Sequence, residues 1–175
     1  TSNYRPKLKT FLMAPFNMKS SLITLIDNEI NLARKGKKAF IYAKLNSLSD
    51  IAVIEKLYKA SAAGVKIKLI IRGICCLVPE NKLCSRNIEA KSIVGRYLEH
   101  SRYFIFSNNG SHKTFISSAD WMERNFHARV ETAIPILDPF LKETMMAIFQ
   151  AQWDDDTKSR HLDIVQYNKL YSGKR

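Results

Sequence analysis

The feature that most constrains this fold is a pair of apolar runs, 39–45 (AFIYAKL) and 65–71 (VKIKLII), with one amphipathic stretch between them. The first reads as a strand buried on both faces. The second alternates apolar residues with lysine and then turns continuously apolar, as a strand entering a core does. Between them Asp50 caps a run through Ile54, Leu57 and Ala60 at helical spacing, and Gly64 stops it. Strand, helix and strand in that order predict a right-handed parallel unit. The C-terminal ends of such strands form the edge where open α/β sheets bind ligands. Arg72 stands at one of those ends, followed by Gly73.

The flanking sequence extends this unit on both sides. From Asn17 the pattern is helical, with Leu22, Leu25, Ile26, Ile30 and Ala33 on one face and Asn17 or Ser20 as cap. The basic run 34–38 (RKGKK) closes that helix, since glycine suits a C-terminal cap and cations suit the negative dipole end. Residues 73–87 hold Pro79 and the cysteines and read as a long loop serving a site. Short strands are expected near 90–94, 102–106, 114–117 and 130–137. The turn Asn108-Asn109-Gly110 makes the middle two an antiparallel hairpin. Pro139 opens a last helix through Leu141, Met145, Ile148, Phe149 and Trp153, and Asp154-Asp155-Asp156 is expected to end the compact part. The predicted class is α/β, a mixed β-sheet flanked by helices. Its expected parts are a lead-in at 1–16, one domain at 17–163 and a loosely ordered basic tail at 164–175.

Charge narrows the partners. With 28 Lys and Arg against 16 Asp and Glu the chain carries a formal +12. That surplus points to polyanions: nucleic acid, polyphosphate, nucleotides or an anionic membrane surface. No apolar run is long enough to span a bilayer and no signal peptide opens the sequence. The start at Thr1, without a methionine, reads as that of an excised fragment. Cys75, Cys76 and Cys84 match neither a zinc spacing nor a redox pair and read as reduced, packed thiols of a cytosolic protein.

The stretch 92–121 carries the chemistry. His100 sits between Arg96 and Arg102, and a Ser117-Ser118-Ala119-Asp120-Trp121 turn follows a second strand. Histidine exchanges protons or carries a phosphoryl group near neutral pH, and guanidinium groups grip phosphate in pairs of hydrogen bonds. A phosphoryl-handling site is the expectation, against a core histidine with surface arginines. Arg129 reads, from its neighbours alone, as a salt bridge to Glu131 or Glu123. His112, His127 and His161 lack a second metal ligand at a useful spacing, and no metal site is expected among these residues. No glycine-rich phosphate cradle is present, so any nucleotide must be held by side-chain cations and stacking.

The spacing His100-x-Arg102-x-x-x-x-Ser107 resembles, in degenerate form, the His-x-Lys-x4-Asp motif of the phospholipase D superfamily, which builds one active site from two halves. A nuclease or phospholipase half would need lysine at 102 and a carboxylate at 107. More of the chain resembles another family. Lys44-Leu45-Asn46, the segment VKIKLIIRGICCLVP at 65–79, Ser85-x-Asn87-Ile88, SIVGRYLEHSR at 92–102, SSADWM at 117–122, Arg124-Asn125 and Leu137-Asp138-Pro139 are similar to the C-terminal catalytic region of the phosphohistidine-forming polyphosphate kinases. The likeness runs unbroken over 11–163.

The resemblance implies a phospholipase D-like half and reversible transfer of the terminal phosphate of ATP to inorganic polyphosphate, with Mg2+. It makes His100 the second active-site histidine, a proton donor or phosphate stabiliser, and makes Arg72 and Arg129 contacts to ATP phosphates. Arg96, Arg102 and Ser118 would line the phosphate path. The phosphorylated histidine, the Mg2+ ligands and an adenine-stacking tyrosine are implied to lie in a preceding domain, so the fragment alone is expected to be inactive. The implied partners are ATP or ADP, polyphosphate, the upstream domains and further copies of the intact chain, with no specific nucleic acid. The implied place is the cytoplasm, with peripheral membrane attachment left open. The competing expectation is a non-catalytic polyanion-binding module on the same fold.

Overall fold

The computed structural model describes Leu8, residues 10–165 and Leu170. The chain runs β1 (Leu12–Ala14), α1 (Met18–Arg34), β2 (Phe40–Leu45), α2 (Ile51–Ala62), β3 (Lys66–Ile71), β4 (Ile88–Ile93), β5 (Tyr103–Phe106), β6 (Lys113–Ser117), α3 (Glu123–His127), β7 (Glu131–Ile136), α4 (Pro139–Trp153) and β8 (Ser159–Leu162). The eight strands form one sheet in the order β1-β7-β6-β5-β2-β3-β4-β8. β2, β3 and β4 are parallel neighbours, and every other pairing is antiparallel. The sheet is therefore mixed, as expected, with the strand–helix–strand unit at its centre.

Local chemistry sets the boundaries. Asp50 caps α2 by accepting from Val53 N at 3.0 Å, and Asp138 caps α4 by accepting from Leu141 N at 2.9 Å. Pro139 takes the first helical position of α4, where a missing N–H does no harm. Just past α1 and α2, Gly36 and Gly64 adopt φ of +67° and +95°, the left-handed conformation that ends helices at glycine. Asn17 stands at the start of α1, but its side chain turns back to β1, accepting from Met13 N at 2.7 Å. Between β5 and β6 the Asn108-Asn109-Gly110 turn closes the expected hairpin as a single 3-10 turn.

The helices divide between the two faces. α1 and α2 cover one, where Leu22, Ile26 and Leu57 pack on Ile41, Leu45, Leu69 and Phe106. α4 covers the other, where Phe149 and Trp153 meet Phe40, Ile70, Tyr103 and Ile105. Among the described residues no helix is long and apolar enough to cross a membrane.

Two expectations about the ends are corrected. The lead-in at 1–16 contributes β1, which pairs with β7 and buries Leu12 and Ala14. The compact part also continues past the aspartate run. Asp155 Oδ1 accepts from Thr157 N at 2.8 Å and from Lys158 N at 3.3 Å, turning the chain into β8, which pairs with β4. Three- and four-residue strands such as these are held by backbone pairing and carry too little alternation to announce themselves. Most of the expected basic tail, 166–169 and 171–175, lies outside the described residues.

Candidate functional site

The site forms where β2 and β3 end and β5 begins. Antiparallel pairing sets Lys44 opposite Tyr103, Tyr103 opposite Ile116, and Ser117 opposite Ala133. Arg102, Ser118 and the start of β7 thus share one sheet edge with Asn46 and Arg72. Topology alone gathers residues that lie far apart in sequence.

Asn46 and Asp120 knit that edge together. Asp120 is buried, and its Oδ1 accepts from Asn46 N at 2.7 Å and Ser47 N at 3.0 Å. The same oxygen lies 3.1 Å from Arg102 Nε, an ion pair without hydrogen-bond alignment. Asn46 Oδ1 accepts from Arg72 Nε at 2.8 Å, and its amide reaches the His100 carbonyl at 3.5 Å. Arg102 then holds His100 twice, from Nη1 to the carbonyl at 3.2 Å and from Nη2 to Nε2 at 3.1 Å. A guanidinium group only donates, so in this contact His100 Nε2 is the acceptor. The ring itself is exposed at the sheet edge.

Lys44 supports the same segment from below. It is 1% exposed, and its Nζ donates to the carbonyls of Glu99 at 3.2 Å and Ser101 at 3.1 Å, on either side of His100. Burial lowers its pKa; Glu99 opposes that shift, while Arg72 and Arg102 add to it.

The other expected site residues occupy different parts of this edge. Arg129 is exposed and lies 3.9 Å from Glu131, the pairing that its neighbours suggested. Glu131 is buried, accepting from Asn125 Nδ2 at 2.7 Å and from Ser118 Oγ. Arg129 and Ser118 thus stand at the β6–β7 end, and among the described residues no hydrogen bond or ion pair joins them to His100 or Arg72. Arg96 is exposed, 5.9 Å from the Tyr97 ring centre, in a shallow cavity that it shares with Glu99 and Asp155. Lys158 lines the same cavity, so two cations face two carboxylates there.

His112 packs edge-on against Phe40 at 5.3 Å, His127 ends α3, and His161 Nε2 lies 2.9 Å from Glu80 on the long loop. All three cysteines are free, and burial pushes the Cys75 thiol up to about 11, which leaves it a poor nucleophile. Among the described residues no three His, Cys, Asp or Glu side chains gather to hold a metal ion. Asp120 Oδ1 and both Glu131 oxygens are engaged by protein donors and cations.

Of the residues in this network, the sequence singles out Arg72, His100 and Arg102 but gives no role to Lys44, Asn46 or Asp120. A lysine within a strand otherwise apolar on both faces was the available signal for the first. Nothing local marks the other two, whose partners lie across the sheet.

Comparison with known proteins gives the family and the fold. Residues 11–175 match the family model described as polyphosphate kinase C-terminal domain 2. A polyphosphate kinase of Bacillus anthracis is 47% identical over 156 residues, covering 89% of this chain and 22% of that protein. A polyphosphate kinase of Escherichia coli strain K12 is 44% identical over 161 residues, covering 91% and 23%. The crystal structure of polyphosphate kinase from Porphyromonas gingivalis superposes with a TM-score of 0.93 at 44% identity, covering 98% of this chain and 26% of that one. The chain therefore spans about a quarter of the length of these relatives. Nuc from Salmonella typhimurium, a phospholipase D family member, shares the fold with a TM-score of 0.61 at 15% identity, covering 88% of this chain and 98% of that one.

Proposed function

This chain belongs to the polyphosphate kinase family, and we propose that it supplies one wall of a site that reversibly moves the terminal phosphate of ATP onto inorganic polyphosphate. The observation that carries the reading is the single network at the β2–β3–β5 edge. Arg72 is fixed through Asn46, His100 through Arg102, and Arg102 lies against the buried Asp120. Two guanidinium groups and an imidazole are thereby held together at the sheet edge, tied to Asn46 and Asp120.

In such a transfer the bond from phosphorus to its bridging oxygen breaks as a nucleophile bonds to phosphorus, and charge spreads over the transferred oxygens. Arg72 and Arg102 are placed to neutralise that charge without reorganising. His100 can stabilise an oxygen or deliver a proton to it as the phosphate draws Arg102 away. Arg129 and Ser118 would extend the phosphate path along the β6–β7 end. The phosphohistidine and the Mg2+ ligands are assigned to residues outside this chain, as are the domains that complete the site and any assembly into oligomers. Alone, the chain is expected to bind phosphate polymers without turning over. The unpaired thiols fit work in the reducing cytoplasm.

The test is His100→Ala in this chain joined to the remainder of a full-length relative. Phosphate transfer should fall by about 10²- to 10⁴-fold, the range for loss of a positioned proton-transfer group. An unchanged melting temperature would show the fold intact. Near-normal turnover removes His100 from the reaction. The +12 charge favours a second reading, a polyanion-binding module. Equal affinity for polyphosphate and single-stranded DNA, governed by salt alone, would support that reading instead.

A further inference from the structure

Behind Arg72 lies a cleft that the transfer site does not use. It holds about 400 Å³ between the start of the long loop and strands β4 and β8. Arg72 and Arg160 both line it, with Ser92, Leu77 and Pro79 among the other walls and no carboxylate. Arg160 stands on β8 opposite Ser92, so strand pairing fixes its position across the cleft. Arg160 has no ion pair among the described residues. The nearest acid in the loop, Glu80, is turned onto His161 at 2.9 Å, which also ties the loop to β8. Arg72 uses Nε on Asn46 and makes no other side-chain hydrogen bond among the described residues, leaving its terminal nitrogens for a ligand. A Cβ at Gly73 would sit 3.1 Å from Asn46 O, so the glycine lets the loop leave Arg72 close to the β2 end.

Two cations facing one open cavity repel each other and attract an anion. We propose that this cleft is a second phosphate subsite, with Arg160 gripping a condensed phosphate chain that Arg72 holds at its reacting end. The inference rests on the function proposed above, because that reading puts a phosphate on Arg72. A chain with a charge on nearly every unit continues past any one arginine, and the cleft is where the next cation waits. Two sources share this chemistry, the triphosphate tail of ATP and inorganic polyphosphate.

Calorimetric titration of the 175-residue chain with long-chain polyphosphate, and separately with ATP, tests the assignment at one fixed salt concentration. Arg160→Gln should weaken binding about tenfold, the size of a lost charge-assisted fork. Lys59→Gln, an exposed charge in the last turn of α2 and outside the cleft lining, should stay within about twofold as one share of unspecific attraction. Arg160→Lys keeps the charge but loses the fork and should fall between the two. Loss with polyphosphate assigns the cleft to the polymer, and loss with ATP alone assigns it to the nucleotide tail. Either result supports the subsite. Wild-type binding with Arg160→Gln no weaker than Lys59→Gln for both ligands overturns the subsite alone. Failure of the wild-type chain to bind either ligand overturns the proposed function together with it.

Discussion

The two faces of the sheet are built on different plans. Under α1 and α2 the central strands present carbon alone: Ile41, Ala43 and Leu45 from β2 and Ile67, Leu69 and Ile71 from β3, all essentially sealed from water. Under α4 the same strands present Phe40, Tyr42 and Lys44, then Lys68 and Ile70, with Lys91 beside them on β4. Lys68 Nζ lies 4.8 Å from the Trp153 ring centre. Lys91 Nζ lies 5.0 Å from the same ring and donates to Trp153 O at 2.6 Å. Burial lowers the pKa of Lys44 and of Lys91. Taking an ammonium group out of water costs free energy that a leucine would not. One face holds the sheet together; the other gives up stability to carry cations, and the foremost of them, Lys44, holds the backbone around His100.

The largest effect should come from damage to the carbon-only face. Phe106→Ala removes a ring that is 1% exposed and packed with Phe104 at 6.0 Å. It should destabilise the fold by about 3–5 kcal/mol in denaturant unfolding. Lys44→Met, on the other face, keeps the volume and removes the buried charge. It should leave neutral-pH stability within about 1 kcal/mol of the parent, or raise it. The sign follows from the depressed pKa. A lysine lowered in the fold favours folding fully only above its ordinary value, and that contribution is lost as pH falls through the folded value. Any advantage of Lys44→Met should therefore shrink in alkaline solution. Amide hydrogen exchange over 99–101 should nonetheless quicken, since the donors to Glu99 O and Ser101 O are gone. If Lys44→Met unfolds as readily as Phe106→Ala, the contrast between the faces is wrong.

The same contrast explains what was legible in the sequence. The carbon-only face is periodic: Leu22, Ile26 and Ile30 on α1 and Ile54 and Leu57 on α2 lie where three- and four-residue steps put them. Asp50 and the Asn-Asn-Gly turn declare boundaries through their own short-range hydrogen bonding and backbone preferences. β1 and β8 did not show, because each depends on a partner strand distant in the chain. The site divides in the same way. Arg72 at a strand end and His100 beside Arg102 are local patterns. Asp120 acquires its role only by meeting the Asn46 and Ser47 amides more than seventy residues away, which no window of sequence reports. The Arg129–Glu131 pairing was visible because Glu131 stands only two positions on, a neighbour close enough to see.

The smallest expected effect sharpens the comparison at the far end of the α4 face. His112 packs on Phe40, and burial lowers its pKa, with Lys38 and Lys142 pushing the same way. Lys113 follows it in the chain and adds a further positive neighbour. A histidine depressed in the fold contributes stability that is present above its ordinary value and lost as pH falls through the folded one. Melting temperature should thus decline from about pH 7 to about pH 5, and His112→Gln should flatten part of that slope. Carboxylates titrate lower and set the remainder, Glu29 excepted. Burial raises Glu29, so its contribution runs the other way and fades as pH rises. A slope identical in parent and His112→Gln would mean that the imidazole meets no more resistance to charging there than in water. The cationic character of this face would then end at Lys68 rather than reach the β5–β6 hairpin.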